Sequence, residues 1–77
     1  MVYPNPTIGM LSVISGKPVE KLTLSVYNPE GQKVLSRQTE AASNLNTSLN
    51  LRNLPKGVYT LRITGARTLQ SEKVVLE

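Results

Sequence analysis

The chain contains no cysteine, histidine, tryptophan or phenylalanine among its 77 residues, and no aspartate, so its five acids are Glu20, Glu30, Glu40, Glu72 and Glu77. Without His or Cys there is no zinc site of the usual kind, no Ser-His or Cys-His nucleophile and no redox dithiol. The nucleophiles left are Ser, Thr, Tyr and Lys, with no base-orienting pattern to activate any of them. Catalysis, a metal site and a cofactor are therefore not expected. A zero cysteine count leaves the redox compartment open, because secreted domains also do without disulfides. No apolar run approaches the ~18 residues that span a bilayer. The opening Met1-Val2-Tyr3-Pro4-Asn5-Pro6 lacks the charged-then-apolar order of a secretory leader. If the protein is exported, this sequence is expected to be part of a longer one.

What is present is ordinary for one small folded domain: 39% of residues are apolar and 18% charged, with a formal net charge of +4. At this length folding buries only about 60% of the unfolded chain's surface. Apolar residues recur at spacing two in short blocks punctuated by Gly, Pro and Asn, which predicts an all-β fold. The first strand is expected over Gly9 to Ser15 with Leu11 and Val13 on one face, after a stiff approach through Tyr3-Pro4-Asn5-Pro6-Thr7. The second, Glu20 to Asn28, alternates Leu22, Leu24 and Val26 with Lys21, Thr23, Ser25 and Tyr27. Asn28-Pro29-Glu30-Gly31 then reads as a hairpin turn: Asn suits the first position, Pro presets φ at the second, and Gly supplies the left-handed conformation.

The third strand, Gln32 to Thr39, is expected to run antiparallel to the second, with Val34 inward and Leu35 outward. A polar stretch, Glu40 to Asn46, leads to a fourth over Thr47 to Leu51 with Leu49 and Leu51 inward, and Asn53-Leu54-Pro55-Lys56-Gly57 forms the next turn. The fifth, Val58 to Thr64, sets Tyr59, Leu61 and Ile63 against Thr60, Arg62 and Thr64; the last, about Leu69 to Glu77, sets Val74 and Leu76 against Lys73 and Val75. Short strands of this number separated by turns suggest an antiparallel β-sandwich of about seven strands, immunoglobulin-like or fibronectin-III-like.

Leu54-Pro55-Lys56-Gly57-Val58-Tyr59 has the form of a tyrosine corner, in which the hydroxyl bonds back to the preceding turn. The nine basic residues (Lys17, Lys21, Lys33, Arg37, Arg52, Lys56, Arg62, Arg67, Lys73) are scattered along the chain without interleaved aromatics, so nucleic acid is not an expected partner. Asn46-Thr47-Ser48 matches a glycosylation sequon, a three-residue pattern that chance readily supplies. Met10, Ile14, Leu35 and Val75 are expected on outer faces, where single apolar residues need no special explanation.

Taken together, Tyr3-Pro4-Asn5-Pro6-Thr7-x-Gly9, Val26-Tyr27-Asn28-x-x-Gly31-x-x-Val34, Leu51-x-x-Leu54-Pro55-x-Gly57-Val58-Tyr59 and the terminal Lys73-Val74-Val75-Leu76 resemble, in order and spacing, the C-terminal sorting domain of type IX secretion cargo (the Por secretion system sorting domain, type A). The resemblance implies a secretion signal at the end of a larger secreted protein, which directs that cargo across the outer membrane of a Gram-negative bacterium. The protein would pass through the periplasm to the outer-membrane surface or the medium. Implied partners are the outer-membrane translocon with its shuttle proteins and a sortase-like peptidase that removes the domain and joins the cargo to an anionic lipopolysaccharide.

By the same resemblance, translocon recognition falls on Lys73, Val74, Val75, Leu76 and Glu77, with Tyr3, Pro4, Asn5, Pro6, Gly9, Gly31, Leu54, Pro55, Gly57 and Tyr59 as motif or structural positions. Family members often finish on a basic residue, whereas this sequence finishes on Glu77. Alternatives are an uncleaved surface-anchoring or signalling domain of the same system, an accessory adhesion or carbohydrate-binding module, and a structural spacer. Terminal strands can also swap between protomers, so a strand-swapped dimer is a further possibility.

Overall fold

The computed structural model describes residues 2–3 and 8–77, with Tyr3 described by its backbone. They form β1 (Val2–Tyr3), β2 (Met10–Ser15), β3 (Leu22–Tyr27), β4 (Lys33–Thr39), β5 (Leu45–Asn50), β6 (Gly57–Thr64) and β7 (Leu69–Leu76), with no helix among them. Two antiparallel sheets result, one of order β1-β2-β5 and one of order β4-β3-β6-β7. The chain therefore passes from one sheet to the other three times: after β2, after β4 and after β5.

The alternation read in the sequence is what the sheets bury. Leu11, Val13, Leu45 and Leu49 from the first sheet join Leu22, Leu24, Val26, Leu61, Ile63 and Val74 from the second in one core, which is aliphatic apart from Tyr59. Two residues of opposite strands that face each other put their side chains on the same side of the sheet. Leu24 opposite Ile63, and Val26 opposite Leu61, accordingly face the core together.

The β3–β4 hairpin turns as its sequence predicts. The Gly31 amide donates to the Asn28 carbonyl at 2.9 Å, Gly31 sits at φ +85°, and the Asn28 side-chain oxygen accepts from the amides of Glu30 (3.0 Å) and Gln32 (2.9 Å). The phase of β4 beyond it is different from expectation. Val26 faces Leu35 while Tyr27 faces Lys33, so Val34 is the extra residue of a bulge, and both Val34 and Leu35 pack against the core. A bulge moves the inward positions by one residue, which strict alternation from Val34 does not anticipate.

Three further features go beyond the expected strands. The fourth expected strand starts earlier, because β5 includes Leu45, which is buried opposite Ser15 at the end of β2. Val2–Tyr3 extends the stiff approach into a short strand, with Val2 opposite Val13 and Tyr3 opposite Ser12. Outside the strands, Val19 and Ala42 exchange backbone hydrogen bonds at 2.8 and 3.0 Å and so tie the β2–β3 and β4–β5 connections together.

Candidate recognition surface

β7 pairs with β6 along its whole length, from Gly57 opposite Leu76 to Thr64 opposite Leu69, and stands last in its sheet's order among the described strands. The sites expected for translocon recognition divide by parity. Val74 (0% exposed) and Leu76 (5%) are in the core, whereas Lys73 and Glu77 are exposed and Val75 is half-buried on the opposite face. Earlier in the strand even the core-facing parity is solvated: Gln70, opposite Ile63, and Glu72, opposite Leu61, are exposed. Leu69, at 69% exposure, lies on the outward parity.

Both ends of the β6–β7 hairpin are fixed by specific bonds. At the start of β6 the Tyr59 hydroxyl donates to the Pro55 carbonyl at 2.5 Å while its ring is buried, which is the corner predicted from Leu54 to Tyr59. Leu54 is partly buried against the core, and its amide closes a turn on the Leu51 carbonyl at 3.0 Å. Gly57 pairs with Leu76, and a Cβ there would meet the Tyr59 ring at an ordinary 3.9 Å.

At the other end the Gly65 amide donates to the Thr68 carbonyl at 2.9 Å, and Glu20 clamps the turn. Its Oε2 accepts from the Arg67 amide at 2.7 Å and the Thr68 hydroxyl at 2.8 Å. Those two donors, the Arg67 amide foremost, with the Arg67 charge as a smaller contribution, hold the Glu20 carboxyl below the usual carboxylate range. Nothing local in the sequence marks Glu20 for this role, since its partners are 47 and 48 residues away.

Of the motif positions near the amino end, Pro4, Asn5 and Pro6 and the side chain of Tyr3 lie outside the described residues. Gly9 is buried at φ +148°, and a Cβ there would collide with the side chain of Arg52. Its carbonyl accepts the Leu51 amide at 2.7 Å, so a close approach and an unusual φ both call for glycine.

Among the described residues no three His, Cys, Asp or Glu side chains are grouped to hold a metal ion, and no helix is long and apolar enough to cross a membrane. A comparison with curated proteins finds no match. The family model described as the secretion system C-terminal sorting domain matches residues 1–77, the full length of the chain. The chain therefore belongs to the type IX secretion C-terminal sorting domains, the sorting signals carried by cargo proteins of that system.

Proposed function

We propose that this sorting signal works without catalysis, as the end of a larger cargo, and that the export machinery reads the outward side chains of the folded β7 while the inward ones act through the fold. The observation that carries this is the parity of the last strand: Val74 and Leu76 are buried, whereas Lys73 and Glu77 are exposed. A partner that bound Val74 or Leu76 directly would have to empty the core first. Each buried aliphatic side chain contributes roughly 1.5–3 kcal/mol, so that route carries a substantial cost.

The three-plus-four division of strands and the Tyr59 corner support an immunoglobulin-like or fibronectin-III-like sandwich as the frame of the signal. Cargo of this system is exported across the outer membrane. The proposed partners on the way are the translocon, its shuttle and a sortase-like peptidase acting upstream of the domain.

The test fuses the domain to the carboxyl end of a periplasmic reporter in a host with the type IX apparatus. Lys73→Gln with Val75→Thr is expected to lower export while the purified domain keeps its urea midpoint. Export at the parent level by that double variant would overturn the proposal. Deleting Lys73 to Glu77 does not separate the two roles, because it removes the buried Val74 and Leu76 as well.

A further inference from the structure

The outward face of the four-stranded sheet gathers cations that are far apart in sequence. Tyr27 is opposite both Lys33 and Thr60, and Thr60 is opposite Lys73, so Lys33, Tyr27, Thr60 and Lys73 form one row across all four strands. In the next row Ser36, Ser25, Arg62 and Ser71 follow in the same way, which places Arg62 diagonally beside Lys73. Lys33, Arg62 and Lys73 are all exposed.

No glutamate shares these rows. Glu72 is opposite Leu61 on the core-facing parity, Glu20 and Glu40 lie outside β3 and β4, Glu30 is in the hairpin turn, and Glu77 follows β7. Tyr27, Val58, Thr60, Arg62 and Ser71 line a shallow groove of about 570 Å³ together with Asn28, Pro29 and Gly31 of the turn that carries Glu30. The two rows are thus positive and rich in hydroxyls, with Glu30 in the turn beside them.

We infer that this face is a docking surface for an acidic polypeptide segment of a protein partner. The backbones of Lys33 and Lys73 are three inter-strand spacings apart, about 14 Å, so the cations are spread across the whole width of the sheet. Cations spread in this way match several carboxylates carried along a polypeptide, with complementary charge on the two sides. The hydroxyls of Thr60, Ser71 and Tyr27 add donors and acceptors between them. Sugar sites rely on aromatic platforms, and Tyr27 is the one aromatic residue in these rows. The inference stands on the face itself and does not depend on how export is read.

The test titrates the isotopically labelled chain with a poly-L-glutamate peptide and, separately, with dextran sulfate of matched charge, following amide chemical shifts. Expected are shifts confined to the strands around Tyr27, Lys33, Thr60, Arg62 and Lys73, with binding about tenfold weaker at about 0.2 M than at about 0.05 M salt. The triple Lys33→Glu, Arg62→Glu, Lys73→Glu should weaken poly-glutamate binding about tenfold or more. The control triple Lys17→Glu, Arg37→Glu, Arg52→Glu changes net charge equally off this face and should leave most of the affinity. Should the reversal triple fail to fold, the neutral triple Lys33→Gln, Arg62→Gln, Lys73→Gln is read in its place. Equal losses in both triples, or shifts spread over the molecule, would show attraction by net charge alone and overturn the inference. Tighter binding of dextran sulfate at the same face would assign it to an anionic glycan and overturn the choice of partner.

Discussion

β6 and β7 run side by side over eight residues each, yet the core treats them differently. Every inward position of β6 that faces β7 between Tyr59 and Ile63 is buried: Tyr59 at 3%, Leu61 at 0% and Ile63 at 6% exposure. Their partners on β7 are Val74, Glu72 and Gln70, and of these Val74 alone is buried. β6 is an interior strand of its four-stranded sheet, whereas β7 is last among the described strands and its inward residues are buried only toward its end. Polar residues at inward positions of a terminal strand also discourage indiscriminate edge pairing. The lesson is that a strand's place in the sheet, as much as its alternation, decides which of its residues serve the fold. In β7 that service falls on Val74 and Leu76.

The comparison breaks if the two strands respond alike to truncation. The largest effect is expected for Leu61→Ala, about 2–5 kcal/mol from a fully buried site, with Leu76→Ala in the lower part of the same range; urea denaturation measures both. Next is Tyr59→Phe, which removes the bond to the Pro55 carbonyl and should cost about 1 kcal/mol with no change of fold. Leu69→Thr, at an exposed outward position of β7, is expected to change stability by no more than about 0.5 kcal/mol, sharpening the contrast with Leu76.

The smallest effect is confined to acid. Glu20 has a lowered folded-state pKa, so its clamp is fully in place above the unfolded-state pKa and is lost as pH falls through the lower folded-state value. The amide resonance of Arg67 should therefore titrate with a midpoint below that of an exposed glutamate. In Glu20→Gln that titration should vanish.

Much of this architecture was legible in the residues. The alternation in Leu22 to Tyr27 and in Val58 to Thr64, the Asn28 to Gly31 turn and the Tyr59 corner are all short-range patterns, and the structure reproduces them. The inward phase of β4 was not legible, because a bulge at Val34 has no distinctive composition. Leu45 was hidden within a polar stretch, its burial set by β2 across the sheet. The Glu20 clamp and the Lys33, Arg62 and Lys73 face both depend on register between distant segments, which one sequence does not display. For the proposed recognition site, the alternation already set Val74 and Leu76 against Lys73 and Val75; what it did not display is that Gln70 and Glu72, on the same parity as Val74, stay exposed.

The central claim is that inward residues of β7 affect export through folding, whereas outward residues affect it directly. The most direct measurement is the exported fraction of reporter fusions carrying Leu76→Ala or Val75→Thr, taken alongside their folded fractions over a range of growth temperatures. Export of the Leu76→Ala fusion should rise and fall with its folded fraction, and export of the Val75→Thr fusion should stay low at temperatures where it is fully folded. A Leu76→Ala fusion that is folded but not exported, or a Val75→Thr fusion exported at the parent level, would contradict that division.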